Sequence, residues 1–327
     1  MTNIQKVAKL ANVSVATVSR VINNAGNVAP KTKKQVEDAI AKLNYVPNML
    51  ARNFRTSKSK SILVILTNIS NLFYMEIVHG ISEYANGQGY DILLSETNGM
   101  LEKQIECLSK VKNRIADGAV FLESTIHDDA LLSLEKSYPV VQCCTFSEEA
   151  SLPYVIIDNK KIGYMAAQAL LSAGRKRLAF VGTNDKSLYN RERRAGFLKA
   201  AADEGIPDRD IIVLNAALSF EGGREAAFRV EKEKADAVFF VSDMQAIGAL
   251  QVFAETGVKI PGDVAVIGCD NLEICSMVNP PLSSIAQPAR EMGRESARLL
   301  IERIEGDGRM GCRNVVFQPE LVMRKTI

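Results

Sequence analysis

From residue 62 onward, short unbroken apolar runs alternate with longer stretches in which apolar residues recur at helical spacing. The runs are ILVILT (62–67), YDILLS (90–95), AVFL (119–122), PVVQCC (139–144), YVIIDN (154–159), RLAFVG (177–182), AVFFVS (237–242) and DVAVIGCD (263–270). The helical stretches lie around residues 75–87, 101–115, 161–173, 191–204, 222–233, 244–256 and 289–305. A strand with one wet face alternates apolar and polar residues, whereas an unbroken run is buried on both faces. Strand–helix alternation built on such runs predicts an α/β fold with parallel sheets covered by helices. So many runs divide more naturally between two sheets than one. Open parallel sheets bind ligands beyond the carboxyl ends of their strands, so candidate contacts should follow the runs.

The first sixty residues follow another rule. Ile4, Val7, Ala8 and Ala11 recur at helical spacing, Asn12-Val13 makes a brief turn, and Ser14 can cap a second helix with Val18, Val21 and Ile22 on its apolar side. After a loop from Asn23 to Pro30, a third helix sets Val36, Ala39, Ile40 and Leu43 on one face. Two short helices joined by a tight turn predict a helix-turn-helix, whose second helix enters the major groove N-terminus first. Val15 and Ala16 would then meet base edges, with Arg20 one turn later able to bond a guanine twice. Ser14, Thr17 and Asn23 would bind phosphates and set the register. A plain three-helix bundle with Thr17 and Arg20 merely exposed fits the same pattern.

Charge distinguishes the two. Residues 1–60 carry 11 Lys and Arg against 2 Asp and Glu, a net of +9, while the remaining 267 residues carry a net of −7. A basic head on a mildly acidic body suits a polyanionic partner. Composition then removes other classes. With 47% hydrophobic and 24% charged residues the chain is globular rather than disordered. Its longest apolar run is far shorter than the roughly 20 residues of a membrane span, and no signal peptide opens it. Six cysteines without metal-ligand spacing, Cys143 and Cys144 adjacent among them, imply reduced thiols in a cytoplasm. Two histidines cannot build a multi-histidine metal site, so no metal or other cofactor is expected. The glycines of GxGxxG after a strand, of GxxxxGK[ST] and of a GxSxG elbow are all absent, which leaves no loop for nucleotide or acyl chemistry. The expectation is a binder, not an enzyme.

VAKLANVSVATVSRVIN followed by VAPKTKKQVEDAIAKLNYVPNMLAR resembles the start of the LacI/GalR family of bacterial transcription repressors. The resemblance implies a helix-turn-helix head (1–46), a hinge and linker (47–60) and a two-lobed core like the periplasmic binding proteins (61–327). In that core the chain crosses three times, giving an N-lobe of 61–159 plus 288–318 and a C-lobe of 160–287 plus 319–327. The hinge, a helix of about residues 49–55, would coil only on DNA, where two copies insert a side chain into the minor groove; the family's leucine is here Phe54. Insertion favours a flexible pyrimidine–purine step, CpG by resemblance. A twofold protein implies a near-palindromic operator. The chain lacks the leucine-heptad tail of tetrameric relatives, which points to a homodimer.

The resemblance also places a small-molecule effector between the lobes. NISNLFY (68–74) is similar to a family segment that begins with aspartate and continues Asn-Pro-Phe-Phe; Asn68 and Leu72 depart from it, leaving Asn71, Phe73 and Tyr74 as contacts. Arg193, Phe220, Asp243 and Asp270 match the family's other ligand-facing positions, with Ser242 standing where asparagine is frequent. Aromatic faces with one arginine and one aspartate suit a polar ring bearing hydroxyls, such as a sugar, a sugar phosphate or a nucleoside. DNLEICSMVNPPLSSIAQP looks like the nucleoside-responsive members. The implied function is a cytoplasmic, nucleoid-associated repressor under allosteric control. A solute binder with an incidental basic head and a sugar-modifying enzyme are the competing classes; the first would ignore duplex DNA, and the second would turn its ligand over.

Overall fold

A computed structural model of the chain describes residues 4–22, 26–46, 58–123, 138–147, 152–183, 187–306 and 313–327. It divides into two compact units, Met1–Lys58 and Ser59–Ile327. The first holds α1 (Ile4–Leu10), α2 (Val15–Ile22) and α3 (Pro30–Lys42). Val7, Ala8, Ala11, Val18, Val21, Val36 and Ala39 form its core, with Ile40 and Leu43 packed at the edge. Between α1 and α2 the chain turns through Asn12 at φ 52°, a left-handed conformation that asparagine tolerates. The Val13 amide closes the turn on the Ala8 carbonyl at 3.0 Å. Pro30 starts α3, where its missing N–H would have had no helical partner. Asn23, Phe54 and the expected hinge helix lie outside the described residues.

The second unit is α/β with two six-stranded sheets. The first sheet contains β1 (Ser61–Leu66), β2 (Asp91–Glu96), β3 (Gly118–Phe121), β4 (Val140–Cys143), β5 (Tyr154–Ile157) and β11 (Val315–Phe317), in the order β11-β5-β4-β3-β1-β2. The second contains β6 (Leu178–Gly182), β7 (Ile212–Asn215), β8 (Ala237–Phe240), β9 (Ala265–Asp270), β10 (Ser283–Ala286) and β12 (Glu320–Val322), ordered β12-β10-β9-β8-β6-β7. All pairings are parallel except β10 with β12. The helices are α4 (Leu72–Gly87), α5 (Leu101–Lys112), α6 (Asn159–Ser172), α7 (Leu188–Asp203), α8 (Phe220–Lys232), α9 (Asp243–Thr256) and α10 (Ala289–Glu305). The chain passes from the first sheet to the second after β5, returns after β10 and crosses again between β11 and β12.

The eight apolar runs all lie on strands, but β7, β10, β11 and β12 have no such run. Three of them are short edge strands with half-wet faces, which need no apolar run. β10 is central yet begins with two serines. Both are fully buried and satisfied: the Ser284 hydroxyl donates to Asp243 at 2.6 Å and Ser283 Oγ accepts from the Arg324 amide at 2.8 Å.

Three helix pairs meet backbone to backbone through reciprocal glycines. A β-carbon on Gly163 of α6 would stand 1.8 Å from the Arg193 carbonyl oxygen, and one on Gly196 of α7 would stand 1.8 Å from that of Lys160. Gly80 and Gly293 do the same for α4 and α10, at 2.0 and 2.1 Å. Gly223 and Gly248 repeat it for α8 and α9, at 1.9 and 2.0 Å. Where the core begins, the Ser59 and Lys60 amides donate to the two carboxylate oxygens of Asp117 at 2.7 and 2.9 Å. The Lys60 ammonium lies 4.1 Å from the centre of the Tyr90 ring and bonds Glu305 at 2.9 Å.

The close contact of α6 with α7 makes Gly163→Ala a test of this packing. Even the smallest side chain must part the helices, and overpacking of this kind costs about 1–3 kcal/mol. The urea unfolding midpoint of the variant is expected to fall; an unchanged midpoint would mean that the helices have room to spare.

Candidate functional site

In the first unit, the exposed side of α2 is set by its own start. Ser14 Oγ accepts the Thr17 amide at 3.1 Å and meets the Thr17 hydroxyl at 3.0 Å, so the helix begins where the sequence predicts and its first residues project outward. Val18 and Val21 face the core, while Ser14, Val15, Ala16 and Arg20 are exposed and Thr17 is half-buried. Val15, an apolar residue, is 39% exposed at the head of a helix with a basic last turn. An exposed helix start with small apolar side chains has the shape to reach base edges and thymine methyls in a major groove. Lys31, Lys33 and Lys34 are exposed near the start of α3.

In the second unit, the carboxyl ends of both sheets open onto one cleft. An inner cavity is lined by residues at or just beyond the ends of β1, β4, β5, β6, β7, β8, β9 and β10, among them Phe73, Tyr74, Arg193, Ser242, Asp270 and Gln287. A wider outer cavity shares Asn71, Tyr74, Tyr189, Leu218 and Ser242 with it and adds Phe220 and Glu123. Asn71 caps α4: its side-chain oxygen accepts from the Phe73 and Tyr74 amides at 3.0 and 3.4 Å. What it can offer a ligand is therefore its NH₂ group. The cap also turns Phe73 and Tyr74 into the first turn of α4, where both are buried and line the inner cavity. The Tyr74 hydroxyl donates to Glu123 at 2.9 Å, and burial, with Glu123 adding to it, pushes this phenol well above its ordinary pKa.

Arg193 is 4% exposed. Its Nε donates to Asn159 Oδ1 at 2.9 Å and its Nη1 to the Val241 carbonyl at 2.7 Å, and the guanidinium carbon lies 5.3 Å from the centre of the Tyr189 ring. A guanidinium held this way is a fixed fork rather than a swinging charge. Asp270 ends β9 at φ 116°, and Asn271 follows at φ 56°. The strained backbone at Asp270, which costs about 1–3 kcal/mol, and the left-handed conformation at Asn271, which asparagine tolerates, together turn the chain sharply out of the sheet. The turn sets the Asp270 carboxyl in the inner cavity, where Gln287 Nε2 donates to it at 2.6 Å. Burial pushes Asp270 up to about 8, the nearby Asp243 carboxyl adds to this, and Arg193 and Gln287 oppose it.

Asp243 does not take the place expected of it. It is fully buried behind the cavity wall, where Oδ1 accepts from the Ser284 hydroxyl at 2.6 Å and Oδ2 from the Leu272 amide at 2.8 Å. As the first residue of α9 its side chain turns back on the sheet, tying α9 to β10 and to the turn after β9. Its capping neighbour Ser242, which accepts from the Met244 amide at 3.3 Å, lines both cavities instead. Burial pushes Asp243 up to about 6. Phe220 opens α8 and lines only the outer cavity.

Asn71, Phe73, Tyr74, Arg193 and Asp270 thus share one cavity wall, which also includes residues the sequence reading missed. Tyr189 lies four residues before Arg193 on α7, a spacing that puts both on one helix face and could have revealed it. Asn159 ends the YVIIDN run, and Glu123, which lines only the outer cavity, follows AVFL, so the strand-end rule applied strictly would have found both. Gln287 follows β10, whose serines hid the strand. Cys144 ends the PVVQCC run and falls under the same rule, whereas Leu218 carries no comparable signal. No group of three or more His, Cys, Asp or Glu side chains suited to a metal ion occurs among the described residues.

Comparison with known proteins follows the same division. Residues 3–48 match the model of bacterial regulatory proteins, lacI family, and residues 167–327 that of a periplasmic binding protein-like domain. Catabolite control protein A of Priestia megaterium is 34% identical over 301 residues, 91% of each chain. The solved lac repressor dimer bound to operator and the anti-inducer ONPF is similar with a TM-score of 0.88 at 26% identity, over 99% of this chain and 98% of that one. The transcriptional regulator CelR in complex with cellobiose gives 0.74 at 29% identity, over 100% of both chains.

The raised carboxyl of Asp270 gives a pH test. A folded-state pKa above the ordinary carboxylate value means that the folded chain holds a proton the unfolded chain has released. Stability therefore falls as pH rises through that window, until the group ionises in the folded state as well at about 8. Asp270→Asn removes this loss, so its melting temperature should gain on the wild type from about pH 5 to about pH 9. Parallel curves in differential scanning calorimetry would mean that Asp270 titrates as an ordinary carboxylate.

Proposed function

The chain belongs to the lacI family of bacterial regulatory proteins, and on that premise we propose that it works as a dimeric repressor on a near-palindromic operator, under the control of a hydroxyl-rich ring bound between its lobes. It is a DNA-binding transcriptional regulator and not an enzyme. No helix among its described residues is long and apolar enough to cross a membrane, and regulators of this kind act in the bacterial cytoplasm.

In the proposed division, residues 1–46 read the DNA, 47–60 form the hinge, and the remainder binds effector and pairs with a second copy. Val15 and Ala16 meet base edges, Arg20 bonds a guanine, and Ser14, Thr17 and Asn23 hold the backbone, while Phe54 wedges into the minor groove. Because the Ser14 hydroxyl already caps α2, its phosphate contact would run through the proton it retains.

The observation that carries the ligand reading is the fixed Arg193 facing Asp270 within a cavity walled by Phe73 and Tyr74. A planar or puckered ring stacks on the aromatic wall, and its hydroxyls bond the guanidinium and the carboxyl. A protonated Asp270 donates and an ionised one accepts, which suits hydroxyls in either role. The wall joins groups from both sheets, so a ligand that bonds Arg193, Asp270 and Asn71 together favours lobe closure. Ligand and operator affinities are then linked reciprocally, typically by about 1–3 kcal/mol. The cellobiose carried by CelR supports a sugar, and a nucleoside also presents a ring with hydroxyls.

A thermal-shift screen of sugars, sugar phosphates and nucleosides tests this: a ligand at a hundred times its Kd adds about 2.7 kcal/mol of stability. The shift should vanish in Asp270→Asn; an equal shift there would remove Asp270 from the site. On the DNA side, Arg20→Ala is expected to cost about 1–3 kcal/mol against the preferred palindrome and to relax one base position. Equal weakening on all sequences in a selection from randomised palindromes would make Arg20 a phosphate contact. Specific binding should also weaken steeply with salt, and no retardation of any palindrome at low salt would leave only the ligand half of the reading.

A further inference from the structure

Cys143 ends β4 and Cys144 follows it at the mouth of the sheet. Successive side chains of an extended strand point to opposite faces, which would keep neighbouring thiols well apart. Cys144 instead adopts φ 66°, and the two sulfurs stand 3.8 Å apart. That left-handed conformation is costly for a residue with a β-carbon. The two thiols also differ in setting: Cys143 is fully buried, whereas Cys144 lines the inner cavity beside Tyr74, Tyr189 and Arg193. Ligand binding by hydrogen bonds and stacking uses neither sulfur.

We propose that Cys143 and Cys144 are an oxidisable vicinal pair, a modification site in the cavity wall that peroxide closes to a disulfide and thiols reopen. The inference stands whichever ligand the cavity takes. In the first step the Cys144 sulfur, the one that lines the cavity, attacks an oxygen of hydrogen peroxide. The O–O bond breaks, the leaving hydroxide takes the thiol proton as water, and a sulfenic acid remains. The Cys143 sulfur then attacks the Cys144 sulfur. The S–S bond forms, the S–O bond breaks, and hydroxide leaves with the Cys143 proton as a second water. Two thiols and one peroxide give one disulfide and two waters.

The pair's shared hydrogen bond holds the Cys143 thiol below its ordinary range, which suits Cys143 to the resolving step, and with burial it holds Cys144 well above, so the first step draws on a small thiolate fraction and needs peroxide in excess. The bond so formed is strained. Adjacent α-carbons are about 3.8 Å apart, short of the roughly 4.4–6.8 Å that disulfides prefer. Strained disulfides are readily reduced and belong to the labile, regulatory class. This pair would therefore stay open in a reducing cytoplasm and close only under oxidative load.

The test uses the full-length protein, reduced, exposed to hydrogen peroxide and then denatured for thiol titration. Of its six cysteines, four should remain titratable, and six again after dithiothreitol. Peptide mass mapping should place the loss at residues 143–144 as one intramolecular bond. Cys143→Ser and Cys144→Ser, each close in size to the thiol, should each abolish it. The chain has no tryptophan, and Tyr74 and Tyr189 line the same cavity. Closure should thus lower tyrosine emission reversibly in the wild type and not in Cys144→Ser. Six titratable thiols after peroxide, a loss mapped to other cysteines, or Cys144 found only as sulfinic acid would overturn the proposal. A disulfide at 143–144 that leaves tyrosine emission unchanged would overturn its placement in the cavity wall.

Discussion

The ligand cavity depends on a contact that contains no functional group. Where α6 crosses α7, Gly163 and Gly196 let each helix touch the other's backbone, at the carbonyls of Arg193 and Lys160. Arg193 is thereby brought so close to the start of α6 that Asn159 can accept its Nε hydrogen bond, while the end of β8 supplies the Val241 carbonyl. A buried guanidinium is tolerable only when it is partnered, and here the partners are a side chain and a main-chain oxygen rather than a carboxylate. The positive charge is therefore anchored without being cancelled. It remains available to lower the Asp270 carboxyl against the stronger upward push of burial.

The negative side of the cavity rests on a division of labour between two aspartates. Asp243 is wholly enclosed and bonds Ser284 and the Leu272 amide, so it fixes the turn that carries Asp270. Asp270 itself projects from strained backbone into the cavity. Because the enclosed carboxyl raises the cavity-facing one, a change at Asp243 alters the proton held by Asp270. Packing behind the wall thus tunes the chemistry in front of it.

The architecture was legible because buried parallel strands leave unbroken apolar runs, and every such run is a strand. What escaped notice were elements whose burial does not rest on apolar side chains. β10 places Ser283 and Ser284 in the core because Asp243, Thr326 and the Arg324 amide satisfy them, and partners distant in sequence leave no local signal. Gln287 was lost with that strand. In the cavity, Arg193 and Asp270 could be named by resemblance, but Asp243 and Ser242 exchange roles over a single residue. Which of two adjacent residues faces a cavity at a helix start is decided by the cap, and the cap depends on the tertiary position of the strand before it. Cys144 was visible as the end of a run and half of an unusual doublet, but its backbone angle cannot be deduced from composition.

The path of the chain between its two sheets has a consequence for how the molecule can be taken apart. Because β11 returns to the first sheet and β12 to the second after the polypeptide has already built both, neither lobe corresponds to one continuous stretch of gene. A single deletion or a single protease nick cannot release either half whole. Grafting one half onto a foreign scaffold would need cuts at all three crossovers. Recombination between relatives is confined in the same way: a simple exchange can swap the amino-terminal reader cleanly, but it would splice the sensing halves into mismatched hybrids.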